Sequence, residues 1–100
     1  MSNEQLISIE LYCRHEELDL TFVEALTERG LIQVVVQEKH RFLPAGEVAR
    51  LEQLARMHFE LDINLEGLEA ISHLLQRVDR MQQELRSLQQ RLRLYEEAQR

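Results

Sequence analysis

The sequence predicts a mainly α-helical protein. It should be a winged helix-turn-helix domain with a small β wing, followed by a long C-terminal coiled-coil helix. Three observations carry this. Three Gly and one Pro in 100 residues leave little chain for loops. "LDLTFVEALTERGLI" (18–32) reads as a short helix closed by Gly30 and set behind an earlier helix and a polar turn. From Ile71 onward, apolar residues recur in steps of three and four.

The elements follow in order. "LISIELYC" (6–13) alternates at first, with Ile7 and Ile9 on one face, so a very short strand should lead into a helix. Ser8 can cap that helix, and Tyr12, Cys13 and Leu11 are candidates for its inner face. "RHEELD" (14–19) is polar and holds a turn. Asp19 or Thr21 then caps a second helix with Phe22, Val23 and Leu26 on its apolar side. Gly30 suits the left-handed position after it. "LIQVVVQEKHRFLP" (31–44) is β-branched, then polar, then apolar, which reads as a hairpin without an Asn-Gly turn. Pro44 should open a third helix carrying Val48, Leu51, Leu54, Ala55 and His58 on one side. Phe22 and Phe59 are assigned to the core; either would serve as an apolar anchor if exposed. Asn64 can cap the last helix.

That last helix carries Ile71, Leu74, Val78, Met81, Leu85, Leu88, Leu92 and Tyr95 at heptad a/d spacing, with Gln, Arg and Glu between. From Asn64 to about Glu97 it would be roughly 50 Å long at 1.5 Å per residue. One helix cannot bury such a stripe alone, so these eight residues are expected to form the seam of a homodimer. The chain therefore divides into a helix-turn-helix domain, 1–64, and a dimerisation helix, 65–100.

Charge narrows the function. Residues 1–64 hold twelve acids against six bases, while 65–100 hold six of each, so the net charge of −6 belongs to the first part. Affinity for DNA of any sequence comes from cations that displace counterions from phosphates. An acidic domain instead steers basic partners. Glu16, Glu17, Asp19, Glu24, Glu28, Glu60 and Asp62 are the candidate partner-binding residues. The lone Cys13 excludes an internal disulfide or CxxC site and suits a reducing, cytoplasmic setting. "MSNEQLISIELY" lacks the basic start and apolar run of a signal peptide, and no stretch approaches a membrane span.

Catalytic and metal chemistry find little support. His15, His40, His58 and His73 do not pair with one another or with Cys13 at ligand spacings. Phosphate loops, GxSxG and HExxH are absent. Cys13 reads as a packing residue. No cofactor is expected, and the chain is not read as an enzyme.

"LISIELYCRHEELDLTFVEALTERGLI" followed by "HRFLPAGEVARLEQL" resembles the MerR-type winged helix. Within it, "YCRHEELDLTFVEALTERGLI", "LARMHFELDINLEGLEAISHLL" and the Leu-rich tail look similar to the CbpM family of chaperone modulators. That resemblance implies a winged-helix dimer that binds the J-domain of a DnaJ-like co-chaperone of the CbpA type and restrains its action on Hsp70. The alternative is a MerR-family DNA-binding transcriptional regulator. DNA-binding members carry Arg and Tyr in the second helix; here the corresponding stretch is Phe22-Val23-Glu24-Ala25-Leu26. A third reading, a purely structural coiled-coil oligomer, predicts no partner.

Overall fold

The computed structural model describes residues 4–100. The first three residues of the opening segment, read above for a targeting signal, lie outside the described residues. The protein is mostly helical, with a small three-stranded antiparallel sheet and a long C-terminal helix, consistent with a MerR-like winged helix. The chain forms two compact units, one running to Glu69 and the other from Ala70 to Arg100.

In the first unit, β1 (Leu6–Ser8) passes directly into α1 (Ile9–His15). The Ser8 side chain accepts from the Leu11 N–H at 3.4 Å, which satisfies one of the free donors of the first turn. Ile9 and Cys13 point into the core. Leu11, a candidate for that face, is 59 % exposed instead. It follows Ile9 by two residues, which is more than half a helical turn around the axis.

A tight turn with Glu17 at φ 53 leads to α2 (Leu20–Glu28). Asp19 is the cap: its carboxylate accepts from the Thr21 N–H at 3.0 Å and from the Thr21 hydroxyl at 2.8 Å. Phe22, Val23 and Leu26 are buried. Gly30, at φ 73, ends the helix in the left-handed region that glycine adopts without a Cβ penalty.

The wing is β2 (Val35–Gln37) and β3 (His40–Pro44), paired antiparallel with Gln37 opposite His40. Glu38 and Lys39 form its two-residue turn, both at positive φ, as the tight hairpin turns that match strand twist require. β1 pairs with the other edge of β3, giving the strand order β1-β3-β2. The sheet corrects one expectation. Pro44 does not open α3 directly; it lies opposite Leu6 at the end of β3 and stands at the N-cap of the 3₁₀ turn that leads into α3. Having no N–H to donate, it closes a strand as readily as it starts a helix. A single 3₁₀ turn (Ala45–Glu47) follows, and α3 begins only at Val48 and runs to Phe59.

Leu51 and Leu54 of α3 are buried. The loop after α3 is tied back by the His58 ring, whose Nδ1 lies 2.7 Å from the Ile63 carbonyl oxygen. α4 (Leu65–Ala98) starts on Asn64, whose side-chain oxygen accepts from the Gly67 N–H at 2.8 Å. Leu68 is fully buried with Leu26, Leu43, Leu51 and Leu54 in one cluster. The first turn and a half of α4 thus packs with the first unit, which continues past the 64/65 division read from the sequence. In the second unit, α4 continues as a single helix. Ser72 is buried and Ile71 half-buried, while the large apolar residues from Leu74 to Tyr95 are exposed.

Candidate partner-binding surface

In a helix-turn-helix, α2 is the helix placed to read a ligand. Its buried face is Phe22, Val23 and Leu26, so geometry leaves Thr21, Glu24 and Glu28 outward. Arg29, the basic residue that follows it, is turned back. Its guanidinium lies 3.0 Å from the Glu69 carboxylate and 3.4 Å from that of Glu66. Glu66 is held below the usual carboxylate range, first by its own backbone N–H at the start of α4 and next by Arg29. In the wing, Arg41 is likewise engaged, 3.3 Å from Glu24 on α2. Two cations that could have met phosphates are therefore paired with acids of the same domain. Arg14 at the end of α1 and Lys39 at the wing tip are exposed, and Arg41 is exposed while paired with Glu24.

The acids are not spread evenly. Glu16, Glu17 and Asp19 of the α1–α2 turn face Arg56, Phe59 and Glu60 at the end of α3 across a groove of about 400 Å³. Leu18 and Ala55 form part of its wall. An adjoining hollow of about 360 Å³ shares Glu16, Ala55, Arg56 and Glu60 and adds Tyr12 and Glu52. Burial, followed by Glu52 and Glu16, pushes the Tyr12 hydroxyl pKa up, because phenolate would add charge to a site already negative. Asp19 is pulled down by the two bonds from Thr21, the hydroxyl bond first, so it stays ionised.

Phe59 is the residue that sequence reasoning misplaced. It is 55 % exposed at the last position of α3, where the core expectation would have buried it. Its ring stands edge-on to Phe22 at 5.0 Å and to His58 at 4.8 Å, so one edge is held while the rest meets solvent. Phe22 is buried, as expected, and stacks on His58 at 4.8 Å. The helical spacing from Leu51 and Leu54 does place 58 on the inner side and 59 at its margin; only a strict reading of the period would have found this.

Of the seven candidate acids, the structure brings Glu16, Glu17, Asp19 and Glu60 together around the groove. Glu24 is engaged by the wing, Glu28 stands on the outer side of α2, and Asp62 lies in the α3–α4 loop at φ 56. Elsewhere on the first unit, Ile7, Leu11 and Tyr12 line a shallow apolar depression edged by Arg14 and His15. Cys13 is buried and its thiol pKa is raised, chiefly by that burial. Among the described residues, no group of three or more His, Cys, Asp or Glu is placed to hold a metal ion. Nor is any helix among them long and apolar enough to cross a membrane.

The profile of the family described as MerR HTH family regulatory protein matches residues 7–90, from β1 well into α4. The chain belongs to the MerR helix-turn-helix family. No curated protein and no solved structure matches it. In this MerR-family chain the helix-turn-helix is thus intact as a scaffold. The side chains on its α2 outer face are acidic, and the cation next to that face is spent on Glu66 and Glu69.

Proposed function

We propose that this MerR-family protein is a chaperone modulator. It binds the J-domain of a DnaJ-like co-chaperone of the CbpA type and restrains its action on Hsp70. One observation carries the reading: the α2 outer face is acidic, and Arg29 and Arg41 are paired with acids of the domain itself. Such a surface repels phosphates and attracts a basic protein. The resemblance of residues 12–32 and 54–75 to the CbpM family favours a co-chaperone among basic partners. The protein acts as a homodimer held by α4, in the cytoplasm, where a single unpaired cysteine stays reduced.

Charge supplies steering and specificity, and apolar contact supplies most of the affinity. Association with the J-domain should therefore slow as salt rises, while dissociation changes less. Calorimetry with the isolated J-domain tests the reading. Binding is expected for the wild type. Reversing Glu16 and Glu17 together, which leaves the Asp19 cap of α2 in place, should weaken it, at about 0.2–1 kcal/mol per exposed pair lost. No heat for the wild type removes the reading.

Family membership favours a second reading, a DNA-binding regulator, since the family is described as regulatory. The wing tip with exposed Lys39 and His40 is the part of the domain that could still meet a phosphate.

A further inference from the structure

We infer that the groove between the α1–α2 turn and the end of α3 receives a basic helix of the partner, with one apolar side chain of that helix seated on Phe59. The inference rests on the partner-binding reading above and specifies where and how the contact is made.

Chemistry of the groove selects the occupant. Its walls are apolar at Leu18, Ala55 and the exposed ring of Phe59. Its rim and the adjoining hollow bear the carboxylates of Glu16, Glu17, Asp19, Glu52 and Glu60 against one guanidinium, Arg56. An apolar strip inside a rim of net charge −3, with Glu52 of the adjoining hollow beyond it, fits a segment that presents one apolar side chain flanked by lysines or arginines. A neutral or acidic segment would desolvate carboxylates without pairing them.

The backbone around the groove selects a helix over an extended strand. The groove is bordered by α3 and by a turn whose amides are already used: Glu16 N–H to the Tyr12 carbonyl at 2.9 Å and Leu18 N–H to the Cys13 carbonyl at 2.8 Å. An extended peptide would find no ladder to join there. The sheet edges lie on β1 and β2, which contribute no residue to the groove. A helix brings its own backbone bonds and needs only side-chain contacts. Phe59 is a suited anchor because its edge contacts with Phe22 and His58 hold the ring before binding, so little rotamer freedom is lost.

The test is titration of the full-length protein with the isolated J-domain, with a 15-residue amidated helical peptide of Lys, Leu and Ala as second probe. Phe59→Ala should weaken binding of both probes by roughly tenfold or more, as removal of a central aromatic anchor does. Glu60→Lys should weaken it by about two- to fivefold at low salt, and Arg56→Glu should tighten it by a similar factor. Both charged positions are exposed, so these two variants keep their fold whatever Phe59→Ala does. Glu38→Lys at the wing tip controls for total charge and should leave affinity unchanged. If the J-domain binds but is indifferent to positions 56, 59 and 60, the groove is overturned and the partner reading stands. If the peptide binds through these positions and the J-domain does not, the groove stands and its occupant is a different basic helix. If Glu38→Lys matches Glu60→Lys, only net charge matters and the groove is overturned. Binding of neither probe overturns both readings. So does groove-amide protection that is lost on dilution, which would mean that a second copy of the chain covers the site.

Discussion

Asp19 does two jobs at one position. It caps α2 through the Thr21 N–H and hydroxyl, and it also lines the acidic groove. Those bonds favour the charged form and lower its pKa, the Thr21 hydroxyl more than the N–H. Linkage then fixes the sign. A carboxyl whose folded pKa lies below its unfolded value adds stability that is full above the unfolded pKa and is lost as pH falls through the folded one. Glu66, lowered by its own N–H and then by Arg29, behaves the same way. Stability should therefore be flat near neutrality and drop on acidification below the ordinary carboxylate range. Asp19→Asn, which keeps a capping oxygen but not the charge, should flatten part of that drop. Thermal melts at stepped pH check this, and an unchanged acid limb in the variant would remove Asp19 from the account.

Elements show why the sequence was legible in some places and not in others. Helix starts were readable because they depend on one short-range bond: Ser8, Asp19 and Asn64 all cap as their side chains suggest. Gly30 ends α2 because only backbone freedom is at issue there. Pairings between distant segments were harder. Nothing local says that Leu6–Ser8 will pair with Phe42–Pro44, and that pairing is what converts Pro44 from a helix start into a strand end. Among the candidate acids, the grouping of Glu60 with Glu16–Asp19 required knowing that α3 ends beside the first turn. Phe59 was missed for a local reason: the helical period that sets His58 inward against Phe22 leaves its neighbour at the margin. The charge pattern of α2, by contrast, was legible from composition and makes a further prediction. With Arg29 and Arg41 paired within the domain, the protein should not shift random duplex DNA in a gel even at low salt. A shift that weakens steeply with added salt would revive the regulator reading.

At the scale of the whole molecule, the unresolved balance is on the second unit. Leu74, Val78, Met81, Leu85, Leu88, Leu92 and Tyr95 are each about half exposed or more, in a helix whose other positions are mostly Gln, Arg and Glu, with Leu75 and Leu94 also exposed beside the stripe. From Leu74 to Tyr95 the stripe is about 32 Å long at 1.5 Å per residue. A continuous exposed apolar stripe of this kind marks an interface. Its heptad spacing, which keeps one seam in line as helices supercoil, selects another helix as the cover, and a second copy supplies one with the same seam. Ile71, the first of the eight seam candidates, is already half-buried and has less to gain. The central residues should dominate. Leu85→Glu with Leu88→Glu would place two unpaired carboxylates in each strand of the seam, and burying a charge without a partner costs several kcal/mol. Light scattering at micromolar concentration should give a dimer for the wild type and a monomer for the double variant. The domain of residues 4–69 should keep its fold in that monomer, because its core from Ile9 to Leu68 contains no residue of the seam. A monomeric wild type would show that the stripe is covered by a partner protein instead.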